Sequence, residues 1–175
     1  WFDTNYHYIV PEFTKDQTFK LTSEKFLNEY NEAKSLGIET KPVLIGPITY
    51  LLLGKEKEAG FSRIDLIDNL LPVYEEILTK LAAAGAQYVQ IDEPYLALDI
   101  DDATRALYGS VFEKLAAAAP SVKLIVATYF EALPDNEEIA LKLPVHALHL
   151  DLVRGEDQLD TILSKVPTSL TLSLG

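Results

Sequence analysis

Tyr88-Val89-Gln90-Ile91-Asp92-Glu93-Pro94 is the stretch that decides the fold. β-branched and aromatic residues run to Ile91 without a breaker, which predicts a short buried strand. Asp92 and Glu93 follow, and Pro94 stops the strand because it has no N–H to donate. Ligands of parallel α/β proteins bind at the carboxyl ends of strands, so the two acids are candidate site residues. The alternative interpretation is a loop cap beside a solvated acid.

Strand-like and helix-like segments alternate on both sides of this stretch. The alternation predicts parallel βαβ units, with about six strands and helices between them. Pro72 lies inside a long helical pattern and is expected to kink or split that helix. The predicted strands are 1–10, 42–46, 88–91, 122–128, 147–152 and 170–174, and the predicted helices are about 24–36, 64–84, 101–119, 137–141 and 158–166.

Two architectures accommodate this alternation, a doubly wound sheet and a (βα)8 barrel. The phosphate-binding pattern G-x-G-x-x-G does not follow the first predicted strand, which removes the main support for a dinucleotide fold. A barrel needs eight strands and typically about 250 residues, and this chain has 175. We therefore predict an α/β fold of the TIM (βα)8-barrel type, incomplete by about two βα units. No residue is Met, and we expect the chain to be a piece of a longer protein.

Composition excludes several classes of function. The chain has no Cys, which excludes disulfides, thiolate nucleophiles and Cys-ligated zinc within it. Its formal net charge of −12 argues against nucleic acid and anionic membranes, because Lys and Arg supply the affinity for phosphate groups. No apolar run approaches the roughly 20 residues of a membrane span, and no signal peptide is expected. These features predict a cytoplasmic protein without nucleic-acid or membrane partners.

The first ten residues are unusually rich in hydrogen-bonding groups for a strand. Strand periodicity places Asp3, Asn5 and His7 on one face, which makes them candidate substrate-binding residues. An internal polar network is the alternative, because buried polar groups must be paired whether or not they function.

Two histidines and an aspartate near the fifth predicted strand form a possible metal set. His149 and Asp151 share a strand face, whereas His146 points the other way. Three convergent ligands are therefore not expected, and we predict structural histidines and no metal in this segment.

Five blocks of sequence, in this order, extend over essentially the whole chain. They are WFDTNYHY at 1–8, PVLIGPITY at 42–50, VQIDEP at 89–94, TYF at 128–130 and DLVRG at 151–155. Together they resemble the cobalamin-independent methionine synthases. The first block is the most specific, and Asp-Glu-Pro alone would not identify a family.

The resemblance implies a parent enzyme of two (βα)8 barrels that moves a methyl group from 5-methyltetrahydrofolate triglutamate to homocysteine. It implies that the C-terminal barrel holds the catalytic zinc, homocysteine and most of the folate site. The N-terminal barrel would contribute to the site for the polyglutamate tail of the folate and support the catalytic barrel. Residues 1–175 would be the middle and C-terminal part of that N-terminal barrel.

The chain departs from the catalytic pattern of this family. Leu98 stands where a second carboxylate would hold the substrate amine, and the zinc-binding cysteines are absent. We therefore expect no catalytic residue, no bound zinc and no activity in this segment, with Asp3, Asn5, His7, Asp92 and Glu93 as candidate substrate-binding residues. Two alternatives remain: a free-standing small (βα) enzyme that uses Asp92 and Glu93 as an acid–base pair, and a non-catalytic binding domain.

Overall fold

The computed structural model describes residues 2, 4–133 and 135–175. Strands and helices alternate along most of this length, as the sequence predicts. The strands are β1 (Glu12–Phe13), β2 (Val43–Ile45), β3 (Lys55–Glu56), β4 (Tyr88–Asp92), β5 (Lys123–Ala127), β6 (Ala147–Leu150) and β7 (Thr171–Leu174). The helices are α1 (Lys25–Ser35), α2 (Pro47–Leu52), α3 (Ile67–Ala84), α4 (Asp102–Ala118), α5 (Glu137–Lys142) and α6 (Gln158–Lys165), with 3₁₀ turns at Arg63–Leu66 and Pro94–Ala97.

Five parallel strands form the main sheet, in the order β2-β4-β5-β6-β7. Each strand after β2 is added next to the preceding strand of the sheet, so the sheet grows in one direction only. A doubly wound sheet reverses its strand order at a switch point, and this sheet does not. The order is that of a barrel wall, which confirms an incomplete fold of the TIM-barrel type. The sheet has five strands rather than the six predicted, because none of the described residues of the predicted strand 1–10 joins it. β1 and β3 form a separate parallel pair of two residues each.

The prediction of a strand over the first ten residues is wrong for the part that the structure describes. Residues 4–11 carry no strand, and β1 begins only at Glu12. Tyr6 is 71% exposed and Ile9 is 96% exposed, so this segment buries little of its apolar surface. A strand in a sheet needs one buried face, and the side chains of residues 5–9 are all exposed. Asn5 and His7 therefore share no strand face, and Asp3 lies outside the described residues.

Helix α3 continues without interruption through Pro72, so the expected split does not occur. Pro72 lacks the N–H that would bond to the carbonyl group of Asp68, four residues earlier. Both residues lie on the exposed side of the helix, where water can satisfy that carbonyl oxygen. The helix ends at Gly85 with a φ of 92°, a left-handed conformation that glycine adopts without strain.

The core lies between one face of the sheet and the surrounding helices. Alternation along β4 buries Val89 and Ile91 completely, while Gln90 and Asp92 occupy the opposite, half-buried face. The buried strand residues belong to one hydrophobic cluster with apolar residues of α3 and α4, including Leu78, Leu81, Phe112 and Leu115. None of the helices in the described part of the chain combines the length and apolarity that a membrane span requires.

Candidate functional site

The adjacent acids lie at the carboxyl rim of the sheet, next to the end of β2. Ile45 pairs with Asp92 in the parallel register, and the Gly46 N–H donates to the Asp92 carbonyl oxygen at 2.7 Å. On the other side of β4, the Glu93 N–H donates to the Ala127 carbonyl oxygen at 2.9 Å. Both acids therefore lie at the carboxyl end of a central parallel strand, as the sequence predicts, beside the end of β2.

The Glu93 side chain is completely buried and bonds to the first turn of α2. Its Oε1 accepts the Ile48 N–H at 3.2 Å, and its Oε2 accepts the Thr49 N–H at 2.9 Å. The Thr49 hydroxyl lies 2.6 Å from Oε2, and the Tyr108 hydroxyl of α4 lies 3.5 Å from the same atom. One carboxylate therefore connects the end of β4 to the helix that follows β2.

Burial raises the pKa of Glu93 to about 7, against an ordinary value near 4.5. The hydrogen bonds from Thr49, Ile48 and Tyr108 favour the ionised form and oppose that rise only in part. The Glu93 carboxylate also lies against Gly46. A Cβ atom on Gly46 would fall 2.1 Å from the Glu93 Cδ, so this position has space only for glycine while Glu93 keeps its place.

Asp92 has a different environment from its neighbour. It lies half-buried on the opposite face of the sheet, where its Oδ1 accepts from Gln90 Nε2 at 2.7 Å and its Oδ2 accepts from the Tyr129 hydroxyl at 3.1 Å. Lys41 Nζ donates to Gln90 Oε1 and extends this polar row toward the amino ends of the strands. Of the two acids, only Asp92 faces a surface that a ligand can reach.

A second rim feature, which sequence reasoning missed, joins the loops after β5 and β6. Asp151 Oδ2 accepts the Phe130 N–H at 2.8 Å, and Oδ1 accepts the N–H groups of Val153 at 2.9 Å and Arg154 at 3.1 Å. Phe130 has a φ of 74°, an uncommon conformation for a residue other than glycine. Arg154 in turn donates to the Phe130 carbonyl oxygen at 3.3 Å, and its guanidinium carbon lies 5.5 Å from the centre of the Phe130 ring. Asp151 thus holds Phe130 in a strained conformation.

A small cavity of about 170 Å³ opens beside this strained residue. Backbone strain often accumulates at functional sites, so the cavity is part of the candidate site. The signal available in the sequence was the pair of motifs TYF and DLVRG, which follow neighbouring strands. The lining residues are Phe2, Pro94, Ala97, Leu98, Tyr129, Phe130 and Glu131.

We expect Asp151→Ala to lower the free energy of unfolding by about 2 kcal/mol, because three backbone N–H groups lose a charged acceptor. Asp151→Asn should cost less, since one amide oxygen can still accept from Val153 and Arg154. Urea denaturation at pH 7 measures both changes, with Asp157→Ala as the control because the Asp157 side chain caps no helix. Equal stability of Asp151→Ala and the control would contradict this role.

The stabilisation from Asp151 should also depend on pH. Partial burial opposes ionisation, but the backbone donors from Arg154, Phe130 and Val153 outweigh it and hold the pKa of Asp151 below its ordinary value. A lowered pKa gives stability that is complete above the ordinary value and is lost as the pH falls through the lowered one.

The two histidines do not converge with Asp151. His149 Nδ1 lies 2.9 Å from the Ser173 hydroxyl, and the His146 ring packs near Tyr88 at a centroid distance of 6.1 Å. Asp151 is occupied by the backbone donors described above. Within residues 2, 4–133 and 135–175, no group of three His, Cys, Asp or Glu side chains is placed to hold a metal ion.

Comparison with known proteins gives matches along the whole chain. A family model described as "Cobalamin-independent synthase, N-terminal domain" matches residues 1–175. The chain is 58% identical to a protein of Flavobacterium johnsoniae and 55% identical to one of Nitrobacter winogradskyi, in both cases over 100% of this chain and 23% of the relative. Both relatives are named 5-methyltetrahydropteroyltriglutamate–homocysteine methyltransferase. The chain thus spans about a quarter of the length of these relatives.

A solved structure supports the fold. The chain is similar to a B12-independent methionine synthase from Shewanella sp. W3-18-1, solved in complex with selenomethionine, with a TM-score of 0.70. The similarity covers 93% of this chain and 52% of that one, at 15% sequence identity. At this identity the match supports the architecture alone.

Proposed function

The chain belongs to the cobalamin-independent synthase family, whose N-terminal domain it matches from residue 1 to residue 175, and from this premise we propose that it is a non-catalytic part of a methyltransferase. The complete protein would transfer a methyl group from 5-methyltetrahydropteroyltriglutamate to homocysteine, in the cytoplasm. Residues 1–175 would be the middle and C-terminal part of its N-terminal barrel, packed against a C-terminal catalytic barrel of the same chain. The match over the full 175 residues to a quarter of each relative carries this proposal.

The site geometry supports a non-catalytic role. An acid–base pair must place both groups at the substrate, within hydrogen-bond reach of the proton that is transferred. Glu93 is 0% exposed and its carboxylate accepts the N–H groups of Ile48 and Thr49, whereas Asp92 faces the other side of the sheet. This arrangement favours neither a free-standing acid–base enzyme nor a direct contact between Glu93 and a substrate. Of the two adjacent acids, Asp92 is the one that we propose as a substrate contact. Asn5 and His7, on the exposed segment before β1, stay proposed substrate contacts, as does Asp3, which is near them in the sequence.

The zinc ion implied by the family resemblance does not fit the residues of this chain. Activation of a thiol by zinc needs a closely grouped set of nitrogen, sulfur or carboxylate ligands. The sequence has no Cys, His149 is bonded to Ser173, and the Asp151 oxygens accept backbone N–H groups. In this proposal the metal belongs to the C-terminal barrel. The net charge of −12 likewise supports a site for the polyglutamate tail that takes its cations from another part of the protein.

We expect Asp92→Asn in the full-length protein to leave kcat within about threefold of the unmodified enzyme, because no reacting atom depends on it. A residue that acts as general acid or base would instead cost about 10²–10⁴-fold. Steady-state kinetics with both substrates measures the change, and Asp99→Asn is the matched control on an exposed acid. A loss of kcat in the acid–base range would assign chemistry to this barrel.

The isolated chain provides a second arm of the same test. Titration calorimetry with homocysteine and with 5-methyltetrahydropteroyltriglutamate should detect no micromolar binding, and a turnover assay should detect no methionine. Turnover by residues 1–175 alone would contradict the proposed role outright.

A further inference from the structure

The carboxyl ends of β2 and β4 are joined by a cluster of neutral donors around one buried acid. Glu93 comes directly after β4, and its partners Ile48 and Thr49 lie in the first turn of α2, which follows β2. We propose that Glu93 and Thr49 form a proton-linked latch that holds the first turn of α2 against the end of β4 and loosens when Glu93 ionises. We call Gly46, Ile48, Thr49, Glu93 and Tyr108 the Glu93 latch.

The contacts of the latch connect elements that are far apart in sequence. Glu93 lies 44 positions from Thr49 along the chain, and the bonds between them are fully buried. Tyr95, in the 3₁₀ turn after Glu93, donates from its hydroxyl to the Leu52 carbonyl oxygen at 3.1 Å, at the other end of α2. Both ends of α2 are therefore attached to the segment that follows β4. Opening of the first turn would expose Glu93 to water.

Thr49 is suited to both protonation states of Glu93. Its hydroxyl can donate to an ionised carboxylate or accept from a protonated one, and the 2.6 Å separation from Oε2 fits either arrangement. Its backbone N–H donates to the same oxygen at 2.9 Å. A residue without the hydroxyl would keep the backbone hydrogen bond to Glu93. It would lose the group that can act either as donor or as acceptor.

The groups that face Glu93 offer no positive charge to compensate its ionisation. Tyr108 contacts the carboxylate from α4, and Tyr74 of α3 donates to the nearby Ile45 carbonyl oxygen at 2.8 Å. Burial and the neighbouring Glu93 raise the pKa of both phenols well above their ordinary value, so both stay neutral. Burial also raises the pKa of Tyr95. The remaining partners are backbone N–H groups and the Thr49 hydroxyl.

The direction of the pH effect follows from the two environments of the acid. In the closed latch the pKa of Glu93 is about 7, and in an opened, hydrated state it returns toward its ordinary value near 4.5. Protonation therefore favours the closed latch. Between these two values, opening becomes about tenfold more frequent for each pH unit of increase, and above the upper value it no longer changes.

Hydrogen exchange with mass spectrometry tests this inference on the full natural polypeptide. Exchange in the peptide that covers residues 47–53, after correction for the intrinsic pH dependence, should accelerate by roughly 40-fold between pH 5 and pH 7. Glu93→Gln stays uncharged throughout and should give a constant corrected rate. Glu138→Gln, at an exposed acid in the first turn of α5, should leave the native pH dependence unchanged.

A second pair of variants keeps the acid and changes only its partner. Thr49→Ser retains the hydroxyl and should retain the native midpoint. Thr49→Val removes a donor that favours ionised Glu93 and should move the midpoint to higher pH. The same pH dependence in Glu93→Gln as in the native protein, or equal midpoints for Thr49→Ser and Thr49→Val, would overturn the latch. Neither result depends on methyltransferase activity, so the proposed function is tested separately.

Discussion

Gly46→Ala should lower the free energy of unfolding by about 3 kcal/mol, the upper end of the usual cost of overpacking a core. The added methyl group would lie 2.1 Å from Glu93 Cδ and Oε1 and 2.5 Å from Glu93 Cγ. A flexible surface side chain would move aside at little cost. Glu93 is fully buried and bonded to Ile48 and Thr49, so the clash breaks these bonds or displaces the end of β2. Chemical denaturation at pH 7 measures the loss.

Two further variants isolate the steric cause of this loss. Gly109→Ala adds the same methyl group in the exposed middle of α4, where no atom lies within 4 Å, and should stabilise by about 0.5–1 kcal/mol through helix propensity. The double variant Gly46→Ala/Glu93→Ala should be about as stable as Glu93→Ala alone, since the side chain that causes the clash is gone. Additive losses in the double variant would mean that the cost of Gly46→Ala comes from elsewhere.

Asn136→Asp should cost about 3 kcal/mol at pH 7, although it replaces one group with another of the same size. Asn136 is completely buried at the start of α5, and its Nδ2 donates to the carbonyl oxygens of Leu96 and Leu98, both at 2.8 Å. A carboxylate would direct an acceptor oxygen at these two acceptors and leave both without a donor. The Oδ1 contact with Arg105 Nε at 3.0 Å survives the change, so the loss comes from the carbonyl side.

The pH dependence of Asn136→Asp checks that explanation. Below the pKa of the introduced carboxyl group, its O–H can donate to one of the two carbonyl groups, so part of the lost stability should return in acid relative to the native protein. Asn28→Asp, on the exposed side of α1, adds the same charge and should change stability by less than about 0.5 kcal/mol. A loss in Asn136→Asp no larger than in this control would show that the two carbonyl groups do not need the amide.

Most strands of the sheet can be predicted from the sequence, because the hydrophobic pattern of a buried strand lies within a few consecutive residues. Mostly apolar runs form strands within one or two residues of the predicted bounds, at Val43–Ile45, Lys123–Ala127 and Ala147–Leu150. Their parallel pairing follows from the helices between them. The prediction of a strand over residues 1–10 is wrong because a strand forms only beside a neighbouring strand. The local pattern of polar and aromatic residues does not show whether such a neighbour is present.

The candidate site could be located from the sequence, but its internal arrangement could not. Strand periodicity implies that Asp92 and Glu93 point to opposite faces of the sheet. Which of the two side chains is buried depends on α2, a helix of six residues that the hydrophobic pattern did not reveal. The burial of Glu93, the space left by Gly46 and the strained Phe130 all depend on contacts between residues about 20 to 50 positions apart. No local pattern contains such information.

The order of strands in the sheet also has a consequence for synthesis on the ribosome. Because β4, β5, β6 and β7 each pair with the strand that precedes them in the sheet, each new unit finds its partner already made. Successive strands are separated by about 20 to 40 residues, which a ribosome adds in roughly 1 to 8 s. Parallel pairing on that scale is complete in milliseconds to seconds. The strands can therefore pair in order during translation, and at each stage the strand added last provides the edge with which the next strand pairs.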